Sequence, residues 1–110
     1  VVVLANVMES DVWIEDASIA SIFMQLQAED LGLGSCWCQI RNRQTEHEED
    51  ASQYIRGLLN IPYQLEVLSV IGFGYKEQPN KPFDESRLQW EKIHLGTYQL
   101  PEDKAEKDEV

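Results

Sequence analysis

Cysteine and histidine are scarce in this sequence. There are two cysteines, Cys36 and Cys38, separated by one residue, and two histidines, His47 and His94. Cysteines that close cannot tie distant elements together, so a disulfide scaffold is excluded. A zinc site needs four ligands, commonly as two close pairs, and these four residues do not form such a set; a metal reading of the Cys36–Cys38 pair ranks third below. Positive charge is also in short supply. Nine basic residues stand against 20 acidic ones, a net charge of −11. Phosphate neutralisation along a nucleic acid or an anionic membrane surface needs a basic patch, so both partners are disfavoured. No apolar run approaches a membrane span, and no secretory signal pattern is present. These features predict a soluble, reduced, cytoplasmic protein. There are no internal repeats. No Ser-His-Asp or Cys-His arrangement can be argued, and no residue is a persuasive general acid or base, so the set of catalytic side chains is empty.

Apolar material, by contrast, is plentiful. Hydrophobic residues make up 43% of the 110 residues, with three Trp, four Tyr and three Phe. A chain this short is one domain at most and buries a modest fraction of its surface. Either its core is very efficient or part of the apolar surface is covered by another chain. The run Val1 to Val7 reads as a strand already under way, covered on both faces. Domains rarely begin on a central strand, so residues upstream are expected to be missing. Ser10 and Asp11 are N-cap candidates for a long helix from Trp13 to Leu31, with Glu15 and Asp16 in its first turn. Its apolar residues fall on two faces. One holds Ala17, Ala20, Met24, Ala28 and Leu31, the other Ile19, Ile22, Phe23 and Leu26. A helix apolar nearly all round must be covered nearly all round, which predicts packing on its own sheet and on a second copy.

Gly32 stands where a helix C′ glycine belongs. Ser35 to Asn42 then alternates, and the simplest reading turns Cys36, Cys38 and Ile40 to the buried side of a strand, with Ser35, Trp37, Gln39 and Arg41 opposite. Thr45-Glu46-His47-Glu48 has the spacing of a capping box, opening a helix with Ala51, Tyr54, Ile55, Leu58 and Leu59 on one stripe. Leu65 to Phe73 is a second buried strand, Gly74 to Phe83 a loop rich in turn formers, Asp84 to Trp90 a short helix, and Glu91 to Leu100 an arm with apolar anchors. The tail from residue 101 to 110 is acidic and too poor in apolar residues to offset its ordering entropy. Strand, helix, strand, helix, strand and arm favour an α/β or α+β layered sheet.

Gly32-Leu33-Gly34 is not a dinucleotide fingerprint, which needs a strand before it, a helix after it and a third glycine. Two glycines at a helix exit either cap the helix or admit a flat ligand or another chain. Trp37 beside them either stacks on a ring or plugs the core. Lys76 and Lys81, in the loop after the last buried strand, are either solvated charges or phosphate ligands. The same choice applies to Arg41 and Arg43, whose alternative is pairing with the acidic stretch Glu46 to Asp50.

An ordered series of short motifs goes further. Trp13-Ile14-Glu15-Asp16-Ala17-Ser18-Ile19-Ala20, Leu31-Gly32-Leu33-Gly34-Ser35-Cys36-Trp37, Gln39-Ile40-Arg41, Leu59-Asn60-Ile61-Pro62, Val70-Ile71-Gly72-Phe73-Gly74-Tyr75 and Asn80-Lys81-Pro82-Phe83 follow one another over most of residues 1–95. Together they resemble the second half of small nitroreductase-family proteins. The resemblance implies an α+β, three-layer α-β-α sandwich without its N-terminal helices, spanning residues 1–100. It implies an FMN-dependent oxidoreductase that takes reducing equivalents from NAD(P)H to nitroaromatic, quinone or similar small acceptors. Members of the family are homodimers with FMN at the subunit interface, and the helix from Trp13 corresponds to the central dimer helix. Ser35, Cys36, Trp37, Cys38 and Gln39 would place backbone groups against the flavin ring, and Lys81 would contact the FMN phosphate. Cys38-Gln39 replaces the Ile-Gly of many members, and Phe83 stands where a basic residue is usual. The family's Arg-Arg-Ser type phosphate motif and the helix after it are absent. The alternative reading is a truncated, non-catalytic dimerisation module without flavin.

Overall fold

The computed structural model describes residues 1–102, so most of the expected mobile acidic tail lies outside the described residues. The described residues divide into two units, Val1–Gln78 and a second that begins at Pro79. The first holds a three-stranded antiparallel sheet of β1 (Val2–Asn6), β2 (Gly34–Gln39) and β3 (Leu65–Gly74) with two helices, α1 (Trp13–Asp30) and α2 (Ala51–Leu59). The strand order is β1-β3-β2. The central strand is therefore β3, where Val67, Leu68, Ser69 and Ile71 are buried. The opening strand is an edge strand and not the covered central one that its apolar run suggested.

The register of β1 on β3 passes from Val3 opposite Ser69 to Leu4 opposite Val67, leaving Leu68 as an extra residue. Such a bulge leaves one residue outside the regular pairing and bends its strand. The Leu68 carbonyl accepts from both Ile40 N–H (3.2 Å) and Arg41 N–H (3.1 Å), where the chain leaves β2.

Helix α1 lies against all three strands. Its sheet-facing residues are small: Ala17, Ser21 and Ala28 are buried and Met24 is half-buried. Val3, Ala17, Leu68 and Ile71 form the core, with Trp13, Ile14, Met24 and Trp37 packed around it. The Ser21 hydroxyl donates to the Ala17 carbonyl at 2.8 Å and lies 3.0 Å from the Ser69 hydroxyl, so a polar link crosses this apolar contact fully satisfied. Met24 thus packs on the chain's own core, while Ala20 and Leu31, expected on the same face, are exposed.

The end of α1 is a Schellman motif. Leu33 N–H reaches the Ala28 carbonyl at 2.8 Å, Gly32 N–H reaches the Glu29 carbonyl at 3.1 Å, and Gly32 takes φ +77°. The expected capping box at Thr45 does not cap a helix. Its hydroxyl accepts from His47 N–H and Glu49 N–H inside a turn, and His47 lies in that turn, not in a helix. The N-cap of α2 is Asp50, which accepts from Gln53 N–H at 3.0 Å, and its C-cap is Asn60 in the left-handed region. The apolar stripe of α2 is only partly covered, with Ala51 and Ile55 half-buried, and the bonds from α2 to β3 come from polar residues. Ser52 is buried, bonded to the Glu66 carboxylate (2.8 Å) and Val67 N–H (3.1 Å), and Arg56 pairs with Glu66 at 3.2 Å. Tyr54, Leu58 and Leu59 are exposed.

The second unit contains two short 3-10 turns, Glu85–Arg87 and Trp90–Lys92, where one short helix was expected. Asp84 opens the first, its Oδ1 accepting from both Ser86 N–H (3.0 Å) and Ser86 Oγ (2.7 Å). Farther on, His94 stacks on Tyr98 at 4.3 Å and its Nδ1 accepts from Gln99 N–H.

Candidate functional site

The helix exit delivers the chain directly into β2, and β2 pairs with β3 from Gly34 opposite Gly74 to Gln39 opposite Ser69. Because β2 is an edge strand, half of its backbone N–H and C=O groups point away from the sheet. Residues directly opposite in an antiparallel pair share a face. Trp37 therefore shares one with Ile71, and it packs on the core beneath α1. Cys36 and Cys38 share the other with Gly72 and Val70, and both cysteines are exposed free thiols.

This is the reverse of the expected phase. Cysteine and tryptophan both count as apolar, but the space under α1 takes the larger side chain, and the small cysteines are left outside. The Trp37 indole N–H donates to Gln39 Oε1 at 3.0 Å, and Gln39 Nε2 donates to the Arg41 carbonyl at 2.9 Å. These bonds satisfy the polar tip of the indole and hold its strand in place. Of the two readings left open for Trp37, its ring takes the core one; what it offers outward is backbone. Ser35 is exposed and accepts from Gln25 Nε2 at 3.2 Å.

Gly34, Ser35, Cys36, Gly72, Gly74 and Tyr75 line a shallow, open groove at this end of the sheet, with Phe73. A Cβ added at Gly72 or Gly74 would meet nothing within 4 Å, so these positions leave a flat floor. Gly34 differs. A Cβ there would lie 3.1 Å from Cγ of Lys76. Lys76 is held in place by Glu29 at the end of α1, with both carboxylate oxygens within 3.0 Å of its Nζ. It is thus committed to an ion pair beside the groove. Arg43 donates to the Asn42 carbonyl, and neither Arg41 nor Arg43 pairs with the acidic stretch among the described residues.

Lys81 belongs to the second unit, exposed, in a hollow lined by Pro82, Phe83, Asp84 and Arg87. Thus Ser35, Cys36, Trp37, Cys38 and Gln39 come together on one strand, while Lys81 is part of a separate cluster. Asp84 in that cluster has its carboxyl held below the usual value of 3.8 by the two hydrogen bonds from Ser86, side chain first. Gln25, Glu29 and Arg87 escaped the sequence reading, because a polar residue on a helix or turn gives no hint of its distant partner. Among the described residues no group of three or more His, Cys, Asp or Glu could hold a metal ion, and no helix is long and apolar enough to cross a membrane.

An antiparallel sheet carrying a long apolar helix that exits through a glycine turn onto an edge strand defines an α+β sandwich with a groove at its open edge. The nitroreductase family model matches residues 6–75, and the chain belongs to that family. A relative from Archaeoglobus fulgidus, named "Putative NADH dehydrogenase/NAD(P)H nitroreductase", is 32% identical over 76% of this chain and 46% of its own length. One of the same name from Methanothermobacter thermautotrophicus is 39% identical over 73% of this chain and 41% of its own. Among solved structures, an FMN-dependent nitroreductase from Clostridium difficile R20291 superposes with a TM-score of 0.84 at 43% identity, covering 88% of this chain and 56% of that one. The expected three-layer nitroreductase fold is thereby established. The chain spans about half the length of these relatives.

Proposed function

We propose that this chain forms part of an FMN-dependent oxidoreductase that takes reducing equivalents from NAD(P)H and passes them to a nitroaromatic, quinone or similar small acceptor. The observation that carries the reading is the family match over residues 6–75, which contains the α1 exit and β2. The residues suit a flavin. The outer edge of β2 from Ser35 to Gln39 offers backbone donors and acceptors to the polar rim of a ring, and Gly72 and Gly74 leave room for a flat face. The Trp37–Gln39–Arg41 bonds hold that edge in one conformation. Lys81 is assigned to the phosphate, as the family resemblance implies. When bound, FMN supplies the hydride chemistry, and the protein supplies binding, orientation and access. No acid/base pair is required of the side chains on that account.

The same reading includes a homodimer. The outer face of α1 carries Ile19, Ile22, Phe23 and Leu26, all exposed, with Phe23 at 64% and Leu26 at 61%. Large apolar side chains at i, i+3, i+4 and i+7 on an otherwise well-packed helix are a surface for another helix. A cytoplasmic location accords with two exposed free cysteines, which persist in reducing compartments.

The deciding measurement is the visible spectrum of the complete gene product. A yellow protein that is bleached by NADH or NADPH and recovers with a quinone supports the proposal. A colourless product that also takes up no FMN in titration refutes it and leaves the dimerisation module as the better reading.

A further inference from the structure

We propose that Cys36 and Cys38 form a two-thiolate seat for a soft metal ion, copper(I), on the open face of β2. The proposal does not depend on the flavin reading. The two cysteines flank Trp37 on the strand, so they share one face, opposite Gly72 and Val70 of β3. Both thiols are free and exposed. Gly72 has no side chain to crowd Cys36, and even a Cβ there would meet nothing within 4 Å. The contact from the Cys36 thiol to the Trp37 carbonyl is long, 3.9 Å, and leaves the sulfur available.

Spacing decides which chemistry this pair suits. A disulfide brings the sulfurs to about 2.05 Å and draws the Cα atoms to about 5.5–6 Å. Positions two residues apart on an extended strand are about 6.8 Å apart. Here the strand resists shortening. Every residue from Gly34 to Gln39 is in register with β3, and Trp37, between the cysteines, is fixed by the core and by its bond to Gln39. A bridging ion asks for less. Two thiolate–metal bonds of about 2.3 Å set in line place the sulfurs about 4.6 Å apart, a span that the two side chains reach by leaning toward each other.

Ligand number then selects the ion. Soft thiolates favour copper(I), zinc and iron–sulfur clusters. Zinc sites and the clusters take four ligands, and no group of three or more His, Cys, Asp or Glu that could hold a metal ion occurs among the described residues. Copper(I), with a filled d shell, is satisfied by two thiolates in line. Binding replaces two S–H bonds with two S–Cu bonds and releases two protons. No electron is exchanged, so the metal enters and stays as copper(I).

The experiment is an anaerobic titration of the complete gene product with acetonitrile-stabilised copper(I), in competition with the colorimetric chelator bathocuproine disulfonate. The wild type is expected to withhold one equivalent of copper that Cys36→Ser and Cys38→Ser each surrender to the chelator. Thermal unfolding is followed alongside, and Cys36→Ala and Cys38→Ala give the same comparison where serine lowers the unfolding temperature. Equal copper retention by the wild type and both variants overturns the proposal. Loss in only one of the two variants also overturns it, because a lone thiol would then be the ligand. So does a Cys36–Cys38 disulfide found by peptide mass mapping after equilibration in a glutathione buffer as reducing as the cytosol, since the strand would then yield to the shorter bridge.

Discussion

The two faces of α1 differ in a way that average hydrophobicity does not register. The face on the sheet is built from Ala17, Ser21, Met24 and Ala28, mostly small and one of them polar. The face away from it is built from Ile19, Ile22, Phe23 and Leu26, all large and apolar. Small residues let a helix approach a sheet closely, and the large ones of the core are then supplied from the strand side by Leu68 and Ile71. Among the described residues of the first unit, the outer face has no such complement. Side-chain size, more than polarity, distinguishes the face packed on the sheet from the exposed face that the proposed dimer would cover.

That distinction is open to direct attack. The largest effect is expected from the strand side of the inner contact. Leu68 is 2% exposed, and Leu68→Ala should lower the unfolding free energy by about 2–5 kcal/mol in denaturant titration. Phe23→Asp on the outer face should cost the folded protomer only about 0.5 kcal/mol, since the site is exposed. Yet it should halve the sedimenting mass, because a dimer contact would then bury an unpaired charge. A wild-type monomer would refute the outer half of the comparison.

An intermediate effect belongs to the polar link on the inner face. Ser21 donates to Ala17, so the Ser69 hydroxyl donates to Ser21. Ser21→Ala leaves that buried donor unsatisfied and should cost about 1–3 kcal/mol, whereas Ser21→Ala with Ser69→Ala should recover part of the loss. A double variant no more stable than the single one would mean that shape, not hydrogen bonding, governs the contact.

The smallest effect concerns the Asp84 turn. A carboxyl lowered below 3.8 in the folded state stabilises its turn fully above that value and loses the contribution as pH falls through the lowered one. Ser86→Ala removes the leading cause, so the Asp84 titration followed by carboxyl NMR should move up toward the ordinary value. An unmoved titration would assign the shift to something other than Ser86.

Much of the fold could be read from particular residues. The apolar runs marked β1 and β3, and acids in the first turn with Gly32 after the last marked α1, because each of these signals is local. The phase of β2 could not be read. Ser-Cys-Trp-Cys-Gln has no face that is clearly more apolar, and the choice was made by the volume left under α1. The N-cap of α2 was hidden for a related reason. Thr45 and Asp50 are both N-cap residue types, and the Thr45 hydroxyl is taken up in its own turn while Asp50 caps the helix. The edge of the candidate site on β2 was legible as a motif, whereas Arg87 was not, since its place beside Lys81 depends on how a turn folds back.

The close approach of Lys76 to Gly34 makes those two positions unequal partners in any history of substitution. An alanine at position 34 meets a lysine stem anchored at its far end by Glu29, and so it strains a chain that still carries the lysine. Shortening position 76 first removes the obstacle, and position 34 then becomes permissive. One order of change is a smooth path and the other passes through a less fit intermediate. Sequences that have lost the glycine should therefore be those that have already lost the lysine.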